Sequence, residues 1–213
     1  MYIEEMKFQD FTTQFEKYWV FTTSMIKTIF GDKRKYLSRQ ISERTDKNKI
    51  IQLKKWLYTF NNPYIIEKSH PFRFANKIQE PSYISTYSAL EFYNLIPEKV
   101  TQITSITPNK TNTFTNTIGS FFYQKVKASL FWWYQETSLW NKNVLVASPE
   151  KAILDTIYLN PEQKNPVEYF RLQHLENIDS KTLQKYWKRF QSKKIDRFLV
   201  LLQQGKDDWY TKI

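Results

Sequence analysis

A chain of 213 residues with 41% hydrophobic and 17% aromatic side chains is long enough to bury a core and too aromatic to be disordered. Its net charge of +11, from 32 basic and 21 acidic residues, suggests a polyanionic partner, the plainer alternative being a proteome-wide basic bias. The absence of cysteine excludes disulfides, thiolate nucleophiles and cysteine-based zinc sites, and fits a cytoplasmic location.

Phe8, Phe11, Phe15 and Tyr18, spaced by three and four, predict an amphipathic helix over residues 6–18. Thr22, Thr23 and Ser24 supply hydroxyl caps for a second helix with Met25, Ile26, Ile29 and Phe30 on its apolar face. Gly31 can end that helix in the left-handed conformation, and Asp32 can cap a third. In this third helix Leu37 and Ile41 fall together toward a core, whereas Lys35, Ser38, Arg39 and Ser42 cluster opposite. The β-prone runs 50–53 and 56–60 then flank Lys54 and Lys55, which predicts a small hairpin.

Helix, helix, glycine turn, helix, hairpin is the order of a winged helix-turn-helix. Charge agrees with it. Residues 33–55 hold nine bases and two acids, whereas residues 61–163 are nearly balanced with nine and eight. A recognition helix needs hydrogen-bonding side chains on its outer face, because base edges in the major groove present donors and acceptors. Lys35, Ser38, Arg39 and Ser42 are therefore expected to meet bases. Lys33, Arg34, Arg44, Lys47 and Lys49 are expected to meet phosphates, with Lys54 and Lys55 reaching DNA from the hairpin tip. The competing reading is a solvated surface helix; the surrounding elements favour DNA.

Asn61-Asn62-Pro63 marks a boundary, giving domains of residues 1–62 and 63–213. Beyond it, residues 85–93 read as a helix, 100–107 as a half-buried strand, and 111–117 with 119–126 as a hairpin. Residues 143–147 form a short buried strand. Ser148-Pro149-Glu150 opens a helix with a cap, a proline and an acid at its positive end. The tail from 166 to 204 is expected to be helical throughout, with a basic outer face whose role stays open between solubility and an acidic or nucleic-acid partner. The predicted class is α+β: a winged helix-turn-helix, then a mixed α/β domain ending in helices.

No catalytic residue, metal ligand or cofactor site is assigned. Three glycines (Gly31, Gly119, Gly205) cannot build a phosphate loop, and His70 and His174 lack partners at ligand spacing. Glu150 and Asp155, the obvious acidic pair, stand five apart and off a common helix face; Asp155 has Lys151 four residues earlier. The cluster Phe131-Trp132-Trp133-Tyr134 near Trp140 reads as core packing or a dimer contact before it reads as a stacking platform for single strands. No run of about 18 apolar residues suggests a membrane span, and the acidic N-terminus is unlike a signal peptide.

PSYISTYSALEFYNLIPE (residues 81–98), the strand QITSIT, the hairpin FTNTIGSFFY and VASPEKAILDTIYL (146–159) together resemble the AbiEi family. Its members are bacterial antitoxins and transcriptional regulators of type IV toxin–antitoxin and phage abortive-infection systems. The resemblance covers about residues 20–160 and implies an antitoxin domain over 63–213. It also implies autorepression through repeats in the chain's own promoter. It implies opposition to a nucleotidyltransferase-like toxin without a stable complex, the alternative being neutralisation by direct contact. Two positions depart from the family: Trp56 stands where its wing carries glycine, and Asn94 precedes Leu-Ile-Pro-Glu where glycine is usual. A bulky residue takes the glycine conformation only at a cost, whereas asparagine takes it readily.

Overall fold

The computed structural model describes residues 7–31, 34–64, 69–193 and 195–200. The chain is α+β and separates into two compact units, Met1–His70 with Phe114–Ile118, and Pro71–Thr113 with Gly119–Ile213.

The first unit begins with α1 (Phe8–Phe15), the two-residue strand β1 (Phe21–Thr22) and α2 (Thr23–Phe30). The Thr22 hydroxyl accepts from the Met25 amide at 3.2 Å, so the expected cap forms. Gly31 ends α2 at φ +80°, and its amide donates to the Lys27 carbonyl at 2.8 Å. Then come α3 (Arg34–Asp46) and the hairpin β2 (Ile50–Lys54) and β3 (Leu57–Phe60), with strand order β1-β3-β2. β1 escapes the periodicity because two residues carry none. Phe11, Phe15, Phe21, Ile26, Leu37, Ile41, Ile50, Tyr58 and Phe60 form one buried core. Phe8 and Tyr18 close it from the ends of the predicted aromatic stripe, whereas Ile29 faces solvent. Each buried phenylalanine is worth about 1.5–3 kcal/mol of burial.

The second unit is built on a six-stranded mixed sheet, β6-β7-β5-β4-β9-β8. Its strands are β4 (Tyr83–Ile84), β5 (Gln102–Thr107), β6 (Asn112–Asn116), β7 (Gly119–Lys125), β8 (Tyr134–Leu139) and β9 (Lys142–Ala147). Around them lie α4 (Pro71–Ile78), α5 (Thr86–Phe92), α6 (Pro149–Leu159), α7 (Pro166–Tyr169) and α8 (Ser180–Phe190). α6 packs against both α5 and α8.

β5 is not half-buried as its alternation predicts: Thr104, Ser105, Ile106 and Thr107 are all buried. β5 lies inside the sheet, between β7, which it pairs in parallel, and β4, and both α4 and α5 pack against it. Two of its hydroxyls are satisfied internally, Thr104 donating to the Ser85 carbonyl and Thr107 to the Pro81 carbonyl, whereas the buried Ser105 oxygen has no hydrogen-bond partner among the described residues. The tail also differs from one continuous helix. Left-handed residues Arg171, His174 and Gln191 divide it into α7, a single 3₁₀ turn, α8 and a helical stretch over 195–200; residues 201–204 lie outside the description. Trp56 and Asn94 both adopt the left-handed conformation, at φ +67° and φ +56°.

Tyr83 and Tyr123 are buried, and the Tyr123 hydroxyl donates to the Ala75 carbonyl at 2.6 Å. Burial pushes both phenols well above their ordinary value of about 10, with the Asp155 carboxylate adding to the effect at Tyr83. Because these folded values are raised, the stability they contribute is complete below pH about 10 and is lost as pH climbs past it, where the unfolded chain ionises first. A spectrophotometric pH titration should therefore show a cooperative phenolate step coinciding with loss of circular dichroism. Gradual ionisation with unchanged dichroism would contradict it.

Candidate nucleic-acid interface

Leu37, Ile41 and Arg44 are the residues α3 turns inward, at spacings of four and three that stack two turns of helix on one stripe. Ser38, Arg39 and Ser42 consequently point outward, as expected of base-facing residues. Arg39 is 78% exposed at its side chain and donates from Nε to Glu43 Oε1 at 2.8 Å. That bond holds the Glu43 carboxyl below its ordinary value. An exposed i,i+4 pair is worth only about 0.3–0.5 kcal/mol, so it orients Arg39 without locking it away from a stronger acceptor such as guanine O6 and N7. The Ser42 hydroxyl lies 3.4 Å from Asp46 Oδ2, a weak contact.

Arg44 is a correction. Expected to flank the helix and touch phosphate, it is 4% exposed. Its guanidinium carbon lies 4.3 Å from the Phe11 ring centroid and 5.8 Å from that of Phe8. Position 44 is seven residues after Leu37, two full turns, so the side chain shares the inward stripe despite its charge. The remaining phosphate candidates are distributed as follows. Lys47 and Lys55 are exposed; Lys49 and Lys54 are half-buried, with the Lys49 ammonium 4.4 Å over the Phe8 ring. Lys33 and the side chains of Arg34 and Lys35 lie outside the described residues.

At the hairpin tip sits a residue that sequence reasoning flagged only for its backbone. Trp56 falls in the turn and not in β3, is 60% exposed, and has the Lys55 ammonium 4.5 Å from its ring. A tryptophan in a β-prone run reads as a strand residue, so only its glycine-like position hinted at this placement.

The second unit contains a buried polar network. Lys151 and Asp155 pair on α6 with both side chains at 0% exposure. Asp155 also accepts from the Tyr83 hydroxyl at 3.0 Å and the Ser85 hydroxyl at 2.8 Å, while Lys151 donates to the Tyr83 oxygen at 2.9 Å. Burial depresses the Lys151 ammonium below the usual lysine range, against the opposing pull of Asp155. Every member is sealed from solvent, so the network ties α6 to β4 and presents no reacting atom at the surface. Glu150 accepts instead from the Asp179 amide at 3.2 Å.

The aromatic cluster packs internally in part, with Phe131, Trp132 and Trp133 half-buried and Tyr134 and nearby Trp140 exposed. Tyr134 stacks on Tyr83 at 4.9 Å, and Trp133 stacks on Tyr186 of α8 at 3.6 Å. Lys185 and Arg189 lie over the same indole. Among the described residues, no group of three or more His, Asp or Glu is placed to hold a metal ion, and no helix is long and apolar enough to cross a membrane. No protein-family model matches the chain, and no curated protein matches its sequence.

Proposed function

We propose that the first unit is a winged helix-turn-helix and that the chain is a DNA-binding transcriptional autorepressor. The observation carrying this reading is α3. Apolar contacts of Leu37 and Ile41 seat it on the core, while Ser38, Arg39 and Ser42 face outward beside a lysine-tipped hairpin. The element order with sheet β1-β3-β2 supports the β2–β3 hairpin as the wing. Ser38, Arg39 and Ser42, with Lys35 one turn earlier, meet base edges; Lys47, Lys54 and Lys55 neutralise phosphates, together with Lys33, Arg34 and Lys49. The antitoxin role of residues 63–213, against a nucleotidyltransferase-like toxin, rests on the AbiEi resemblance of residues 81–98 and 146–159. No catalytic step is assigned to either unit.

The test is a binding series on duplex DNA taken from immediately upstream of the coding sequence, with a scrambled duplex as control, across salt. Arg39→Ala should weaken specific binding by about 1–3 kcal/mol and relax sequence preference. Lys47→Ala should weaken both duplexes alike and shallow the salt slope by about one unit. If both variants bind like the parent, the assignment is wrong.

A further inference from the structure

Trp56 combines two features that disfavour folding. Its φ of +67° puts a bulky Cβ-bearing residue in the left-handed region, which favours glycine and strains a side chain of this size. Its indole is 60% exposed, so little of the burial a tryptophan normally contributes is realised. The turn cannot slide to relieve either. The Trp56 carbonyl accepts from the Thr23 amide at 3.1 Å, and the next residue, Leu57, is paired with Thr22 of β1. Backbone geometry is thus set by α2 and β1, and the side chain is projected away from them. An exposed, strained side chain invites a partner outside the fold, but Trp140 shares both features (φ +51°, 60% exposed), so the choice of Trp56 rests on its neighbours.

Its neighbours say which kind of partner that is. Lys54 and Lys55 precede it, and the Lys55 ammonium lies 4.5 Å from the indole. A ring with one ammonium over it and a second lysine beside it in sequence suits a surface that offers both phosphate and flat apolar faces. We infer that Trp56 is a DNA-contact residue, its indole pressed against deoxyribose and base edges in the minor groove while Lys54 and Lys55 hold the adjoining phosphates. Side chains of this size inserted at the minor groove read its width and deformability more than its base sequence. The inference rests on the DNA-binding reading of the first unit and adds a residue of a different chemistry to it.

The experiment compares the full-length parent with Trp56→Gly and Trp56→Phe. Binding is measured by anisotropy on the labelled upstream duplex and its scrambled control at several salt concentrations. Thermal melting and light scattering of the free proteins accompany it. Trp56→Gly should melt no lower than the parent, because glycine suits the turn, and should bind about tenfold more weakly with an unchanged salt slope, since no phosphate contact is lost. Trp56→Phe should retain most of the affinity. If Trp56→Gly binds like the parent, the inference fails and the DNA reading stands. A lower melting temperature alongside the lost affinity would make Trp56 a prop of the hairpin and overturn the inference. So would a change in oligomeric state with DNA binding intact, which would assign the indole to a second copy of the chain. A parent that binds neither duplex overturns both readings.

Discussion

Lys151→Met should destabilise the second unit by about 3–5 kcal/mol, because it leaves the Asp155 carboxylate buried without its counter-ion. The reasoning is one of asymmetry. A sealed ion pair contributes little net stability, since desolvating two charges offsets their attraction, yet breaking it strands one of them. Asp155 keeps the Tyr83 and Ser85 hydroxyls as donors, and these soften the loss without cancelling it. Asp155→Asn should differ in pH dependence. It removes the group that raises the Lys151 pKa and leaves burial, which lowers it, unopposed. The folded value then lies further below the unfolded value of about 10.4. The native state binds fewer protons across that window, and stability rises as pH rises toward it. Urea titrations near pH 7 and pH 9 should therefore show Asp155→Asn gaining on the parent at the higher pH. The double variant Lys151→Met/Asp155→Leu should recover only part of the loss. The remaining deficit reflects the two hydroxyls left buried without their acceptor, at about 1–3 kcal/mol for an unsatisfied polar group. Single variants within about 0.5 kcal/mol of the parent would show the network to be energetically idle.

That network was half legible. Lysine four residues before aspartate on a helix announces a pair, and the pair forms; nothing local announces that both lie at zero exposure. Tyr83 and Ser85 come from about seventy residues away, and strand β4, which carries Tyr83, is two residues long with no period to read. The first unit was more transparent, because helices there carry clean stripes: Phe11 and Phe15, then Leu37 and Ile41. The same arithmetic placed Ser38, Arg39 and Ser42 outward. It would have placed Arg44 inward had its charge not outweighed its phase. In β5 the error was of another kind. Threonine and serine suggest a wet face, whereas the Thr104 and Thr107 hydroxyls reach carbonyls of neighbouring segments and are satisfied inside the sheet. The tail misled because helical periodicity survives across short interruptions, and left-handed backbone at Arg171, His174 and Gln191 has no compositional signature.

Phe11→Ala should cost the first unit about 3–5 kcal/mol, the largest effect expected of a substitution there. Phe11 is fully buried and central: its ring centroid lies 4.9 Å from Phe15, 5.3 Å from Phe21 and 5.8 Å from Phe60, so truncation opens a cavity bounded by rings that cannot all collapse into it. It also removes the face on which the Arg44 guanidinium rests, an interaction worth about 2 kcal/mol where the cation is desolvated. DNA binding should fall with it on both specific and scrambled duplexes, because α3 loses its seat. A stabilising osmolyte should restore binding, as it would not for a lost contact. Arg44→Met separates a phosphate-contacting role from the packing on Phe11. Methionine fills a similar volume without a charge to desolvate, so stability should change by less than about 1.5 kcal/mol. The salt slope of DNA binding should stay at the parent's value, in contrast to Lys47→Ala, which lowers it by about one unit. An Arg44→Met variant whose slope drops as Lys47→Ala does would return Arg44 to the phosphate-contacting set, and the inward stripe of α3 would then shrink to Leu37 and Ile41.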